Sequence, residues 1–336
     1  MAKHAHLLSY LPSPSINGVH LGPLFIHFYG LMYVVGIALA IIITRRRWSA
    51  LGGDADLVYD VAIWVVPLGL VGARAYSDIT TPSVIPPHWW GVFAIWNGGL
   101  GIWGGIAAGA VTGVWRVRRA GASAGLFANA IAPALLVAQA VGRVGNYFNQ
   151  ELFGKPTTLP WALEISVAHR PSGYLQYATF QPTFLYELIW DLALAAFLVW
   201  LGHHRKIKPW GLFALYVAGY SAFRIFEESV RIDTSEHFLG LRLNFYVATV
   251  MTLIGLAWFV RCQWPRRSPV LAGDGPAAGD PGAAGAEAPE ADGSKAEGPS
   301  AGGPHEDGQD AKPEAAHVAA GDTVAVDDRA TRTAEG

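Results

Sequence analysis

Long apolar runs, separated by short polar connections, fill the chain up to about residue 260. A bilayer core of about 30 Å takes roughly 20 apolar residues as a helix. The first run, LFIHFYGLMYVVGIALAIII from Leu24, carries no charge. Others follow at 57–79, 93–114, 125–146, 184–200, 212–226 and 243–260. The third is dense in glycine, which membrane helices use where they pack closely. The pattern predicts an all-α polytopic membrane protein with about seven transmembrane helices.

Charge gives this arrangement a direction. Arg45–Arg47 follow the first run, Arg116, Arg118 and Arg119 the third, Arg205, Lys206 and Lys208 the fifth, and Arg261, Arg266 and Arg267 the seventh. With seven spans all four groups fall on one side, which the positive-inside rule makes cytoplasmic. The N-terminus is then outside and the C-terminus cytoplasmic. Trp89, Trp90 and Trp96 outside, and Trp48, Trp115, Trp210 and Trp264 inside, suit the two aromatic belts. The segment before the first run lacks a signal-peptide layout, so that run is expected to remain in the mature protein.

Composition separates a second region. Overall the chain is 52% hydrophobic and 15% charged, unlike an ordinary soluble enzyme. Residues 269–336 hold 14 acidic and 4 basic side chains and no Phe, Trp or Tyr. Such a segment buries too little apolar surface to offset its ordering entropy. The expected organisation is a membrane domain over 1–268 and a disordered, acidic, cytoplasmic tail over 269–336. The one cysteine, Cys262, excludes an internal disulfide. No histidine spacing suggests a metal site, and neither metal nor cofactor is expected.

Three polar features interrupt the apolar pattern at the outer side. GRVGNYFNQELFG (142–154) ends the fourth run; Arg143 and Asn146 share a helix face at i, i+3. Arginine offers a fixed fork of donors suited to phosphate. In FRIFEESVRID (223–233), Arg224 and Glu228 stand at i, i+4, and Glu228 and Arg231 at i, i+3. Tyr29 lies near the start of the first run. Arg74, near the outer end of the second run, reads either as a functional or as a snorkelling arginine. WNGGLGIWGG (96–105) contains a formal G-x-G-x-x-G, but with no strand before it this is no dinucleotide site. A glycine-rich or broken helix against a lipid headgroup is the expectation there.

GRVGNYFNQELFG resembles the signature of the bacterial prolipoprotein diacylglyceryl transferase family. HFYGLMY (27–33), GAR (72–74), GGLGIWGG (98–105), QPTFLYE (181–187) and RIFEESVR (224–231) follow in that family's order. The resemblance covers roughly residues 20–260. It implies an enzyme of the bacterial cytoplasmic membrane that moves an sn-1,2-diacylglyceryl group from phosphatidylglycerol to the lipobox cysteine thiol of a prolipoprotein signal peptide. Glycerol 1-phosphate is the other product. The implied partners are these two substrates and membrane lipid, with no nucleic acid. Arg143, Arg224, Glu228 and Tyr29 are the implied catalytic residues. Arg143, Asn146, Glu151, Gly154 and Arg224 are the implied phosphatidylglycerol-binding residues. Glu151 and Glu228 would brace the arginines or accept a proton, and Gly154 would permit a tight turn. The chain departs from some relatives at Trp103, where they carry a histidine assigned as base; tryptophan cannot take a proton. The reading from another class is a transporter or flippase for an anionic lipid or solute, which would also use intramembrane arginines. A membrane scaffold recruiting partners through its tail is a third, and leaves the outer-side arginines unexplained.

Overall fold

The computed structural model describes residues 10–82, 85, 90–93, 98–233, 237–238 and 240–264. The tail at 269–336, Trp89, Trp96, Arg266 and Arg267 lie outside the described residues. Among the described residues there are seven long helices: α1 (Phe28–Ala50), α2 (Asp56–Thr80), α3 (Ile102–Arg119), α4 (Ala124–Asn149), α5 (Thr183–His204), α6 (Gly211–Val230) and α7 (Leu243–Gln263). By length and composition α1, α2, α4, α5 and α7 are apolar enough to cross a membrane. Glycines and three terminal arginines dilute α3, and Arg224, Glu227 and Glu228 interrupt α6.

Helix α4 is the central element and the most buried of the five apolar helices. It packs on α1, α5 and α6, while α2 pairs with α3 and α6 with α7. Small residues make these contacts close. A Cβ on Gly104 would lie 2.2 Å from the Gly72 carbonyl oxygen, and one on Gly255 would lie 2.6 Å from the Ala218 nitrogen. Gly36 approaches the Ala138 carbonyl in the same way, at 3.1 Å.

Two ends of the bundle are chemically distinct. At one, the Arg47 Nε donates to the Ala130 carbonyl, Asn129 ties the Lys208 carbonyl to the Leu212 amide, and Arg116 pairs with Asp60. Trp48, Leu57, Val61, Val117 and Phe127 form an apolar cluster there. At the other end the start of α1, the end of α4, the start of α5, the end of α6 and the start of α7 converge.

This second end carries small β elements that the sequence reading did not anticipate. Strand β1 (Tyr10–Leu11) runs parallel to β4 (Ala162–Glu164), which pairs antiparallel with β5 (Thr179–Phe180). Hairpins β2–β3 (Gly18–Leu21, Leu24–His27) and β6–β7 (His237–Phe238, Leu241–Arg242) lead directly into α1 and α7. The first apolar run therefore begins as a strand and becomes helical only at Phe28. Apolar Leu24–His27 satisfies its backbone through β2. The third helix also starts later than expected, at Ile102, because Gly98 and Gly99 adopt left-handed φ of 83° and 73° before it. Phe153, Leu163, Ile165 and Phe180 form the cap's own core, continued onto the bundle by Tyr147 and Phe184.

Candidate active site

The end of α4 sets the geometry. Arg143 Nη1 donates to Asn146 Oδ1 at 3.2 Å, as their i, i+3 spacing requires. Asn146 Nδ2 in turn donates to Glu151 Oε1 at 2.8 Å, and Asn149 Nδ2 reaches the same oxygen at 3.3 Å. Glu151 can reach back because the chain reverses after α4. Gln150 and Leu152 hold left-handed φ of 52° and 57°, a conformation that costs a side-chain-bearing residue about 1–3 kcal/mol. Gln150 is fixed by donating to the Pro14 carbonyl and accepting from the Ser166 amide. The Leu152 carbonyl accepts from the Thr183 hydroxyl.

Helices α5 and α6 supply the opposing groups. Glu187, fully buried, places Oε1 2.7 Å from Arg143 Nη2 and Oε2 3.6 Å from Arg224 Nη1. The Tyr220 hydroxyl donates to Glu187 Oε1 at 2.9 Å and accepts from Arg143 Nη2 at 3.5 Å. Arg224 pairs with Glu227, and its Nη2 donates to Glu228 Oε1 at 2.8 Å. Glu228 also faces Arg242 Nε at 2.7 Å. Arg231 turns away to Asp233, donating to both carboxylate oxygens at 2.7 and 2.9 Å, and Arg242 Nη2 joins Asp233 at 3.1 Å. Outside the helices, Asp233 would be pushed up by burial, but the hydrogen bonds and charge of Arg231, with the charge of Arg242, hold it below the usual carboxylate range.

The implied residues meet as follows. Arg143, Asn146, Glu151, Arg224 and Glu228 belong to one network at one end of the bundle. Tyr29 packs on the same turn of α4: a Cβ on Gly145 would lie 2.6 Å from its ring, and its hydroxyl pairs with Tyr33 at 2.9 Å. Glu151 braces Arg143 through Asn146 rather than directly. The expected Glu228–Arg231 rung is replaced, because Arg231 reaches Asp233 and Glu227 while Glu228 takes Arg242. Gly154 does not adopt positive φ; the left-handed turn belongs to Gln150 and Leu152. Its missing side chain serves close packing instead, since a Cβ would meet Val230 at 2.7 Å and Gln181 at 3.0 Å. Gly154 bridges to Arg231, so this contact joins the cap to the end of α6.

Arg74 does not snorkel: it is buried, pairs with Asp78 at 3.0 Å and donates to the carbonyls of Val92, Gly91, Gly98 and Gly99. It staples the α2–α3 connection. Within the glycine-rich block, Gly101 and Gly104 pack against Tyr76 and Gly72 of α2. Trp103, at the start of α3, is 48% exposed.

A family model described as prolipoprotein diacylglyceryl transferase matches residues 17–261. The chain belongs to the prolipoprotein diacylglyceryl transferase family. It is 49% identical to the phosphatidylglycerol–prolipoprotein diacylglyceryl transferase of Frankia alni over 72% of this chain and 64% of that protein. A Cutibacterium acnes relative of the same name is 47% identical, over 72% of this chain and 82% of its own. The second such enzyme of Streptomyces coelicolor is 45% identical, over 75% and 81%. The chain thus spans just under two thirds of the Frankia protein and about four fifths of the other two.

Within this family member, sequence reasoning passed over Glu187, Tyr220, Glu227, Asp191 and Arg242. Glu187 and Asp191 lay in plain view as carboxylates inside an apolar run, a pattern that marks function in a membrane helix. Tyr220 and Arg242 gave no comparable signal, because only the packing of α6 brings Tyr220 to Glu187 of α5, and only the approach of β7 brings Arg242 to Glu228 of α6.

Proposed function

We propose that this protein transfers the sn-1,2-diacylglyceryl group of phosphatidylglycerol to the lipobox cysteine thiol of prolipoproteins and releases glycerol 1-phosphate. The observation that carries this reading is the pairing of Arg143 and Arg224 on one buried carboxylate, with both guanidiniums still part-exposed, in a member of this family. The reaction needs fixed positive charge where a phosphate ester leaves, and two adjacent arginine forks supply it.

In this scheme all seven helices cross the bacterial cytoplasmic membrane. The arginine-rich end lies in the cytoplasm and the Arg143 end at the outer leaflet. Residues 1–268 form the transferase domain, and 269–336 a cytoplasmic tail. Arg143 and Arg224 bind the phosphate. Asn146 and Glu151 orient Arg143, Glu228 orients Arg224, and Gly154 lets the cap close on α6. Trp103 leaves no histidine base at its position. About 3% of an ordinary thiol of pKa near 8.5 is already thiolate at neutral pH, and the arginines raise that fraction. Tyr29 and Glu228 relay the proton.

Transfer of labelled diacylglycerol from phosphatidylglycerol to a lipobox peptide tests the function. The wild type transfers label and Arg143→Ala does not. A folded wild type that moves no label overturns the activity, whereas an active Arg143→Ala overturns only the residue's role. A Glu228→Gln, Tyr29→Phe double variant at full rate removes the relay.

A further inference from the structure

Arg143 and Arg224 come from different helices and carry like charges, so something must hold them side by side. Glu187 does so from beneath. Its two oxygens face one arginine each, Oε1 at 2.7 Å from Arg143 and Oε2 at 3.6 Å from Arg224. The carboxylate is fully buried, whereas the two guanidinium side chains remain 18% and 19% exposed. The acid is therefore more deeply buried than the pair, and each arginine side chain keeps some exposed surface for an incoming anion. Every element around Glu187 contributes a charged or titratable group. These are Arg143 from α4, Asp191 one turn along α5, and Tyr220, Arg224 and Glu227 from α6. Asp191 is also fully buried, and neither of its carboxylate oxygens has a hydrogen-bond partner. Among the described residues, Glu187 alone forms ion pairs with both arginines.

We propose that Glu187 is the positioning residue of the phosphate clamp: a shared buried counter-ion that sets the spacing of Arg143 and Arg224. This rests on the assignment of those two arginines to the lipid phosphate. A carboxylate bridging two arginines offers them what two phosphate oxygens offer, so the resting pair is already spaced for its ligand. Preorganisation of this kind acts chiefly on the step in which charge develops on the leaving group.

The test is kinetic. Glu187→Gln keeps the size and removes the charge. With one counter-charge gone, the arginines then attract phosphate more strongly in the ground state but lose their common register. The expected result is a fall of about tenfold in kcat together with a lower KM for phosphatidylglycerol, the pattern of a lost transition-state alignment rather than lost binding. Glycerol 1-phosphate should inhibit this variant more strongly than it inhibits the wild type. Glu187→Asp, which restores the charge on a shorter arm, should recover part of kcat and the wild-type sensitivity to glycerol phosphate. A purely structural role predicts less folded enzyme with KM and inhibition unchanged. That result, or wild-type kinetics in Glu187→Gln, overturns the proposal. If Glu187→Gln does not fold, Glu187→Asp decides alone: reduced kcat per folded enzyme with wild-type glycerol 1-phosphate inhibition supports the proposal, and an unchanged kcat overturns it. Failure of the activity itself is read separately, from the wild type, and phosphate binding to wild type and variant, followed by thermal shift, still reports on the clamp.

Discussion

Asn146 is the one side chain that joins Arg143 to Glu151, accepting from the first and donating to the second. Asn146→Ala removes one hydrogen bond from each and cuts the link between them, leaving Arg143 to Glu187 and Tyr220 and Glu151 to Asn149; a lost hydrogen bond to a charged group costs about 1.5–3 kcal/mol. The expected outcome is a tenfold or greater loss of kcat/KM in the diacylglyceryl transfer assay, tenfold being about 1.4 kcal/mol. At the rim of the same network, Asp233 offers a test by pH. Its folded pKa is depressed by Arg231 and Arg242 against the effect of burial. Its stabilisation is therefore fully present above the ordinary aspartate value of about 3.9 and is lost as pH falls through the lower folded value. Melting in detergent should separate wild type from Asp233→Asn at pH 6, and the gap should close in stronger acid. A gap that persists there would remove the charge argument.

At the scale of elements, the α2–α3 pair depends on backbone-to-backbone contact. Gly104 has no room for a side chain beside the Gly72 carbonyl, and Gly101 donates its amide to the Ala73 carbonyl at 2.8 Å. Gly104→Leu should lower the melting temperature, since overpacking costs about 1–3 kcal/mol or more where the neighbour is backbone. Gly142→Ala is the matched control, because a Cβ there meets nothing within 4 Å. Thermal denaturation of both variants in the same detergent checks the contrast. Helix lengths were legible because apolar runs announce themselves, but two of their starts were not. Leu24–His27 is as apolar as the helix it precedes and differs only in pairing with Gly18–Leu21. The residues before Ile102 follow left-handed glycines, whose φ no hydropathy pattern reveals.

Across the whole molecule, the network and Cys262 sit at opposite ends of α7. Cys262 lies nineteen residues beyond Leu243, about 29 Å along a helix rising 1.5 Å per residue. Cys262→Ser should therefore transfer diacylglycerol at the wild-type rate, and a folded but inactive variant would overturn the view that the attacking thiol belongs to the substrate. Removal of residues 269–336 is likewise expected to leave both transfer and melting unchanged, because the family match ends at residue 261. A clear drop in either measurement would assign the tail a part in the enzyme.

The sequence by itself determined the membrane character and the seven helical segments, and pointed to Arg143, Asn146, Glu151, Arg224, Glu228 and, through the family resemblance, Tyr29 as the proposed site. Hydrophobic length and intramembrane charge are local properties that survive in one dimension. The tertiary structure decided how those charges pair. Arg143 and Arg224 are 81 positions apart and meet only because α5 inserts Glu187 between them. Arg74, more deeply buried and equally basic, is taken by Asp78 and backbone carbonyls instead. The physical reason is that a buried charge must be compensated wherever the fold provides a partner, and spacing along a chain does not specify which helix will stand opposite.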